Sequence, residues 1–96
     1  MLRDFGDDPR AYGSAFQLGK LERARGHHRA AAQAFLTAAR KSPLGALTED
    51  ARAEAAIELA DAGDTEAARE AGEDYLGHYP KGAHRSRIER MLSQLR

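Results

Sequence analysis

Four histidines and two rows of carboxylates are the residues of this 96-residue chain best suited to chemistry. His27 and His28 are adjacent, and His78 and His84 flank a later turn. Neighbouring side chains on a helix point in different directions, so the pair chelates poorly without further ligands, and H-E-x-x-H is absent. A weak site would need folding to bring an acidic side chain to His27 or His28. The simpler expectation is exposed turn histidines, with no metal and no cofactor. Glu54–Glu58–Asp61 and Glu66–Glu70–Glu73/Asp74 recur at i, i+3/i+4, so each row lies on one helix face. Nothing apolar surrounds these carboxylates to raise a pKa, and a solvated face is expected rather than an acid–base pair. Cysteine, G-x-S-x-G and G-x-x-x-x-G-K-[ST] are all missing. No catalytic residue stands out, and the chain does not read as an enzyme.

Basic residues are the other candidates. Lys20, Arg23, Arg25, Arg29, Arg40 and Lys41 could touch phosphates, but nucleic-acid binders combine a net basic domain with aromatic residues between the charges. Here the formal net charge is zero and the aromatics sit at core spacing, so nucleic-acid binding is the alternative from another class. The neutrality conceals blocks. Residues 1–48 carry +4, residues 49–80 carry −8 and residues 81–96 carry +4. Such alternation suits adjacent helices that attract one another; the other reading is a surface that attracts a partner.

These groups must be positioned by helices. Twenty residues are Ala and 10 are Leu, Val is absent, and three Thr with two Ile are the only β-branched side chains. This is an all-α composition. No apolar run approaches the roughly 20 residues of a membrane span. The opening Met1-Leu2-Arg3-Asp4-Phe5 is too charged for a signal peptide. A soluble domain is expected, cytoplasmic, or periplasmic if part of a longer exported chain.

Breakers mark five helices. Asp8-Pro9 opens the first, which carries Tyr12, Ala15, Phe16 and Gly19 on one stripe and runs to Arg25, before Gly26. The second, about 28–41, carries Ala31, Ala34, Phe35 and Ala38 and stops at Ser42-Pro43. Thr48 is placed to cap the third, with Glu49 and Asp50 at its positive end, and Gly63 closes it. Asp64 or Thr65 opens the fourth, which ends before Tyr79-Pro80. The fifth follows Gly82, with Ile88, Met91, Leu92 and Leu95 on a stripe opposite Arg85, Glu89 and Arg96.

Sliding the chain by 37 residues superposes Gly26 on Gly63, Pro43 on Pro80 and Gly45 on Gly82, with four Ala pairs between and beside them. Gly and Pro sit where the backbone requires them, so a repeating helix-turn-helix unit follows. One unit reads Ala15-x2-Leu18-Gly19-x2-Glu22, then Ala31-x3-Phe35, then Pro43. The next reads Arg52-x2-Ala55-Ala56-x2-Leu59, then Ala68-x3-Gly72, then Pro80. This resembles the tetratricopeptide consensus W-x2-L-G-x2-Y, A-x3-F, P. Glu22 stands at the usual tyrosine, Gly72 at the usual aromatic, and the period is longer than the consensus 34. Tyr79-Pro80-Lys81-Gly82-Ala83 is similar to junctions in repeats of bacterial envelope and regulatory proteins.

The resemblance implies a right-handed α-hairpin array within one domain, 1–96. Repeat 1 spans about 12–45, repeat 2 about 49–82, and a capping helix about 83–96. Gly19 and Ala56 would face Ala31 and Ala68 across each hairpin, with Leu18 and Phe35 filling the space around the crossing and Tyr75 and Leu76 filling that at Gly72. Two units are few for an independent core. The chain would then be the end of a longer one, or be completed by a partner or a second copy. Members of the family bind partners in the concave groove lined by the first helix of each unit. On this chain the groove positions are Phe16, Lys20 and Arg23; Asp50, Ala53, Ile57 and Asp61; and Arg87 and Arg90. The expected function is therefore a non-catalytic protein–protein interaction module that holds a peptide segment. A self-associating structural domain of a bacterial regulatory or envelope protein is the other reading. Equally open is that Phe16 and Ile57 are core, and that the charges pair between helices. The chain contains no Asn, so the asparagine clamp for a terminal carboxylate found in some members is not expected.

Overall fold

A computed structural model of the chain describes residues 9–41 and 46–95, which form helices and their connections with no strand among them. The order is α1 (Pro9–Ala24), α2 (His28–Lys41), α3 (Ala46–Asp61), α4 (Thr65–His78) and α5 (Arg85–Gln94). None of these is long and apolar enough to cross a membrane. The expected signals at Asp8, Ser42, Pro43 and Gly45 lie outside the described residues.

Local chemistry sets the helix ends. Gly26 and Gly63 have φ of 78° and 83°, the left-handed conformation that side chains with a Cβ disfavour. Each closes the same pair of bonds. Gly26 N–H donates to Arg23 C=O and His27 N–H to Glu22 C=O, both at 2.9 Å. Gly63 N–H donates to Ala60 C=O and Asp64 N–H to Leu59 C=O, both at 3.0 Å. These satisfy carbonyls that the helix end leaves unpaired. Asp64 then caps α4 by accepting from the Ala67 N–H. Thr48 does not cap α3. That helix begins at Ala46, and Thr48 lies within it, 2% exposed.

Consecutive helices pack in chain order, α1 on α2, α2 on α3, α3 on α4 and α4 on α5, and α3 also touches α5. The result measures 47 × 29 × 19 Å, elongated because the core is distributed along the row and not gathered at one centre. Alanine makes the helices close neighbours. Ala31, Ala32 and Ala38 of α2 and Ala51, Ala53, Ala55 and Ala56 of α3 are fully buried.

Larger side chains enter this alanine framework at holes made by glycine. The buried Phe35 ring lies over Gly19, where a Cβ would stand 2.7 Å from the ring. Phe16 meets the same ring edge-on at 5.1 Å between centroids. Burying Phe35 contributes roughly 1.5–3 kcal/mol. In the second hairpin Gly72 stands at Phe35's place in the repeat. The space there is taken by Met91 and Leu92 of α5, and a Cβ would sit 2.9 Å from Met91 Cε. Tyr75 and Leu76 do not fill it. Leu18, expected at the first crossing, is 47% exposed, and Gly19 with Phe35 makes that contact instead.

Gly19→Ala is expected to destabilise the fold by about 1–3 kcal/mol, because the buried ring has nowhere to move. Gly13→Ala, with nothing within 4 Å of its added methyl, is expected to stabilise α1 by about 0.5–1 kcal/mol. Urea denaturation of the two variants measures the contrast.

Candidate functional site

The site is built around α3. Glu54 and Glu58 stand one turn apart on it, and Glu58 is only 1% exposed, so its charge must be matched by the protein. Three helices supply partners to the two carboxylates. Arg23 of α1 donates from Nε to Glu58 Oε2 at 2.6 Å and from Nη2 to Glu54 Oε1. His28 of α2 places Nδ1 2.7 Å from Glu58 Oε1. Arg87 of α5 reaches both oxygens of Glu54, at 3.2 and 3.4 Å. The carboxylate row read as a solvated face is therefore partly interior. Arg29–Asp64 at 3.4 Å adds a further bond from the basic first block to the acidic second.

The electrostatics follow. Burial alone would raise the pKa of Glu54, but hydrogen bonds from Arg87 and Arg23 and their charges outweigh it and hold the carboxyl below its ordinary value. Burial would likewise lower Arg23, but hydrogen bonds and charge from Glu54 and Glu58 raise it. The Arg23 guanidinium also lies 5.0 Å from the centroid of the Phe35 ring, a cation–π contact that links the ion pairs to the core.

A second polar chain joins α3 to α4 and α5. Tyr75, fully buried, donates its hydroxyl to Glu49 Oε2 at 2.6 Å. The same carboxylate oxygen accepts from Ala83 N–H at 2.7 Å, and the Tyr75 oxygen accepts from His84 N–H at 3.0 Å. His84 Nε2 lies 2.7 Å from Asp50 Oδ1, while its Nδ1 lies 3.0 Å from Arg87 Nη1. Arginine can only donate, so Nδ1 accepts and the ring proton sits on Nε2, facing Asp50. Burial, then the Glu49 hydrogen bond, push the Tyr75 hydroxyl up to about 12, against a smaller opposing effect of the His84 N–H.

The residues expected at the groove separate into two sets. Ile57, Asp61, Arg87 and Arg90 come together, lining with Met91 and Leu95 a cleft of about 390 Å³ between α3 and α5. The others lie elsewhere. Phe16 packs on Phe35, Ala53 is fully buried in the core, Arg23 holds the two glutamates, Asp50 holds His84, and Lys20 is exposed on α1. The sequence reading missed Glu49, Glu54, Glu58 and Tyr75 as positioning groups. Its one pointer to them was the acidic block set between two basic ones.

These shifts set two limbs of a pH profile. Glu54 has a folded pKa below its ordinary 4.5, so its contribution is complete above that pH and is lost as pH falls through the lower folded value. Tyr75 is raised from 10.0 to about 12, so its contribution is complete below pH 10 and is lost as pH rises between those values. Glu54→Gln is expected to flatten the acid limb and Tyr75→Phe the alkaline one, each costing about 1–2 kcal/mol at neutral pH. Thermal melts across the pH range check both.

No protein-family model, no curated protein and no solved structure gives a significant match to this chain.

Proposed function

We propose that the chain is a tetratricopeptide-like repeat domain that binds a peptide segment of a partner protein, without catalysis, in the cleft between α3 and α5. The repeat reading is supported by the turns at Gly26 and Gly63, which carry the same two hydrogen bonds one period apart. It is supported too by packing in chain order, with α3 and α5, the first helices of successive units, in contact.

The observation that carries the binding reading is the cleft itself. Ile57, Met91 and Leu95 give it an apolar lining, while Asp61, Arg87 and Arg90 give it charges of both signs. Asp61 and Arg90 make no ion pair among the described residues, whereas Arg87 is occupied by Glu54 and His84. An apolar anchor residue fits such a lining, with the free charges fixing its direction. Interfaces commonly divide affinity and orientation in this way. The carboxylates that would otherwise suggest acid–base chemistry are occupied. Glu54 is bound by Arg23 and Arg87, which favour its ionised form, and both Glu58 oxygens are taken by Arg23 and His28.

Selection of peptides from a displayed random library, followed by titration of the winning peptide, tests the assignment. Ile57→Ala combined with Arg90→Glu is expected to weaken binding at least tenfold while circular dichroism stays helical. A triple change of Arg25, Arg29 and Arg40 to Ala is expected to leave it unchanged. The reverse pattern would place the contact on the outer basic face and favour an acidic or nucleic-acid partner. Failure of any peptide to bind, with concentration-dependent mass, would favour self-association.

A further inference from the structure

We propose that His28, Glu58 and Asp61 form a binding site for one divalent transition-metal ion at the junction of α2 and α3. The three come from two helices. His28 is the first residue of α2, and Glu58 and Asp61 are spaced i, i+3 on α3, which puts their side chains on one face. One donor atom from each lies within 4.8 Å of the other two. The closest approach is His28 Nδ1 to Glu58 Oε1, 2.7 Å. Ligands at metal bonds of 2.0–2.2 Å in a tetrahedron stand about 3.4 Å from one another. The histidine and glutamate need to part by less than an ångström, roughly, for an ion to enter between them. Asp61 is exposed and free to rotate its carboxylate inward.

The surroundings are those of a held ligand set. Glu58 is almost wholly buried, and its second oxygen accepts from Arg23 Nε at 2.6 Å. A ligating carboxylate is ordinarily fixed by such an outer hydrogen bond, which sets its direction while leaving the other oxygen for the metal. An ion there replaces the hydrogen bond between His28 and Glu58, and the imidazole binds through Nδ1 as a neutral ligand with its ring proton on Nε2. Two carboxylates against one guanidinium leave the site with an excess negative charge, which a divalent ion reverses to a modest positive one. One nitrogen and two carboxylate oxygens suit zinc, cobalt or manganese better than calcium, which prefers oxygen alone. The remaining position goes to water.

This inference does not rest on peptide binding, although Asp61 is shared with the α3–α5 cleft and a bound ion would take its charge. The test is titration of metal-free protein with zinc chloride at neutral pH, followed by calorimetry and by thermal melts, with cobalt absorption as a spectroscopic readout. The expected result is one ion per chain, a melting temperature that rises with zinc, and a cobalt spectrum that reports nitrogen and oxygen ligands. His28→Ala and Asp61→Asn are each expected to weaken binding roughly tenfold or more. Both retain the Glu58–Arg23 pair, so both are expected to fold, and circular dichroism verifies it. His27→Ala and His78→Ala are expected to bind as the parent does. Absence of saturable binding, or binding that survives His28→Ala, would overturn the proposal and leave His28–Glu58 as a hydrogen bond alone. Loss of binding in His27→Ala or His78→Ala would overturn it as well.

Discussion

A charge buried on α3 constrains everything packed around it. Glu58 has almost no contact with solvent, and a carboxylate in that position is tolerated only when cations and hydrogen-bond donors surround it. Arg23 and His28 meet that condition from α1 and α2. Through Glu54 the same arginine is tied to Arg87 on α5. One carboxylate row thus fixes how three other helices sit against the third. Alanine could not do this alone. Its methyl group permits close approach, but it offers little area and no distinctive shape, so many rotations of one alanine face on another bury similar surface. Direction is supplied here by charges and by the Phe35 ring seated on Gly19.

What the sequence made legible was whatever is decided locally. Gly26 and Gly63 were readable as left-handed helix ends because the conformation is a property of the residue itself. The start of α4 was readable as Asp64 or Thr65 on similar grounds, and Asp64 is the cap. The alternating charge blocks were legible as mutual attraction between helices, and Arg23–Glu58 and Arg87–Glu54 are such pairs. Burial of polar groups was not legible. Periodicity places Glu54 and Glu58 on one face, but which face meets an arginine some thirty residues away depends on packing that no local pattern encodes. Thr48 inside and Leu18 outside reverse the usual preference for the same reason.

The candidate site was half legible on similar grounds. Ile57, Asp61, Arg87 and Arg90 meet because regular spacing on α3 and α5 survives the docking of those helices. Ala53 lies fully buried in the core, and Phe16 packs, partly buried, against it beside Phe35. The cleft opens where α5 packs beside α3. Its apolar lining and the buried ion-pair network share the α3 backbone, so the floor of the cleft is held by the charges beneath it.

The two glycine holes differ in where their occupants come from. Gly19 on α1 receives Phe35 from α2, so the first hairpin contains both halves of its own contact. Gly72 on α4 receives Met91 from α5, a helix outside the second hairpin. On a ribosome the chain emerges from its amino end, and domains condense as their parts appear. The first hairpin can close as soon as α2 is made. The second must wait, with its glycine hole open, until α5 has left the exit tunnel. Completion of the core is thereby tied to completion of α5, and a nascent chain stopped before that helix presents an unfilled surface to chaperones and proteases.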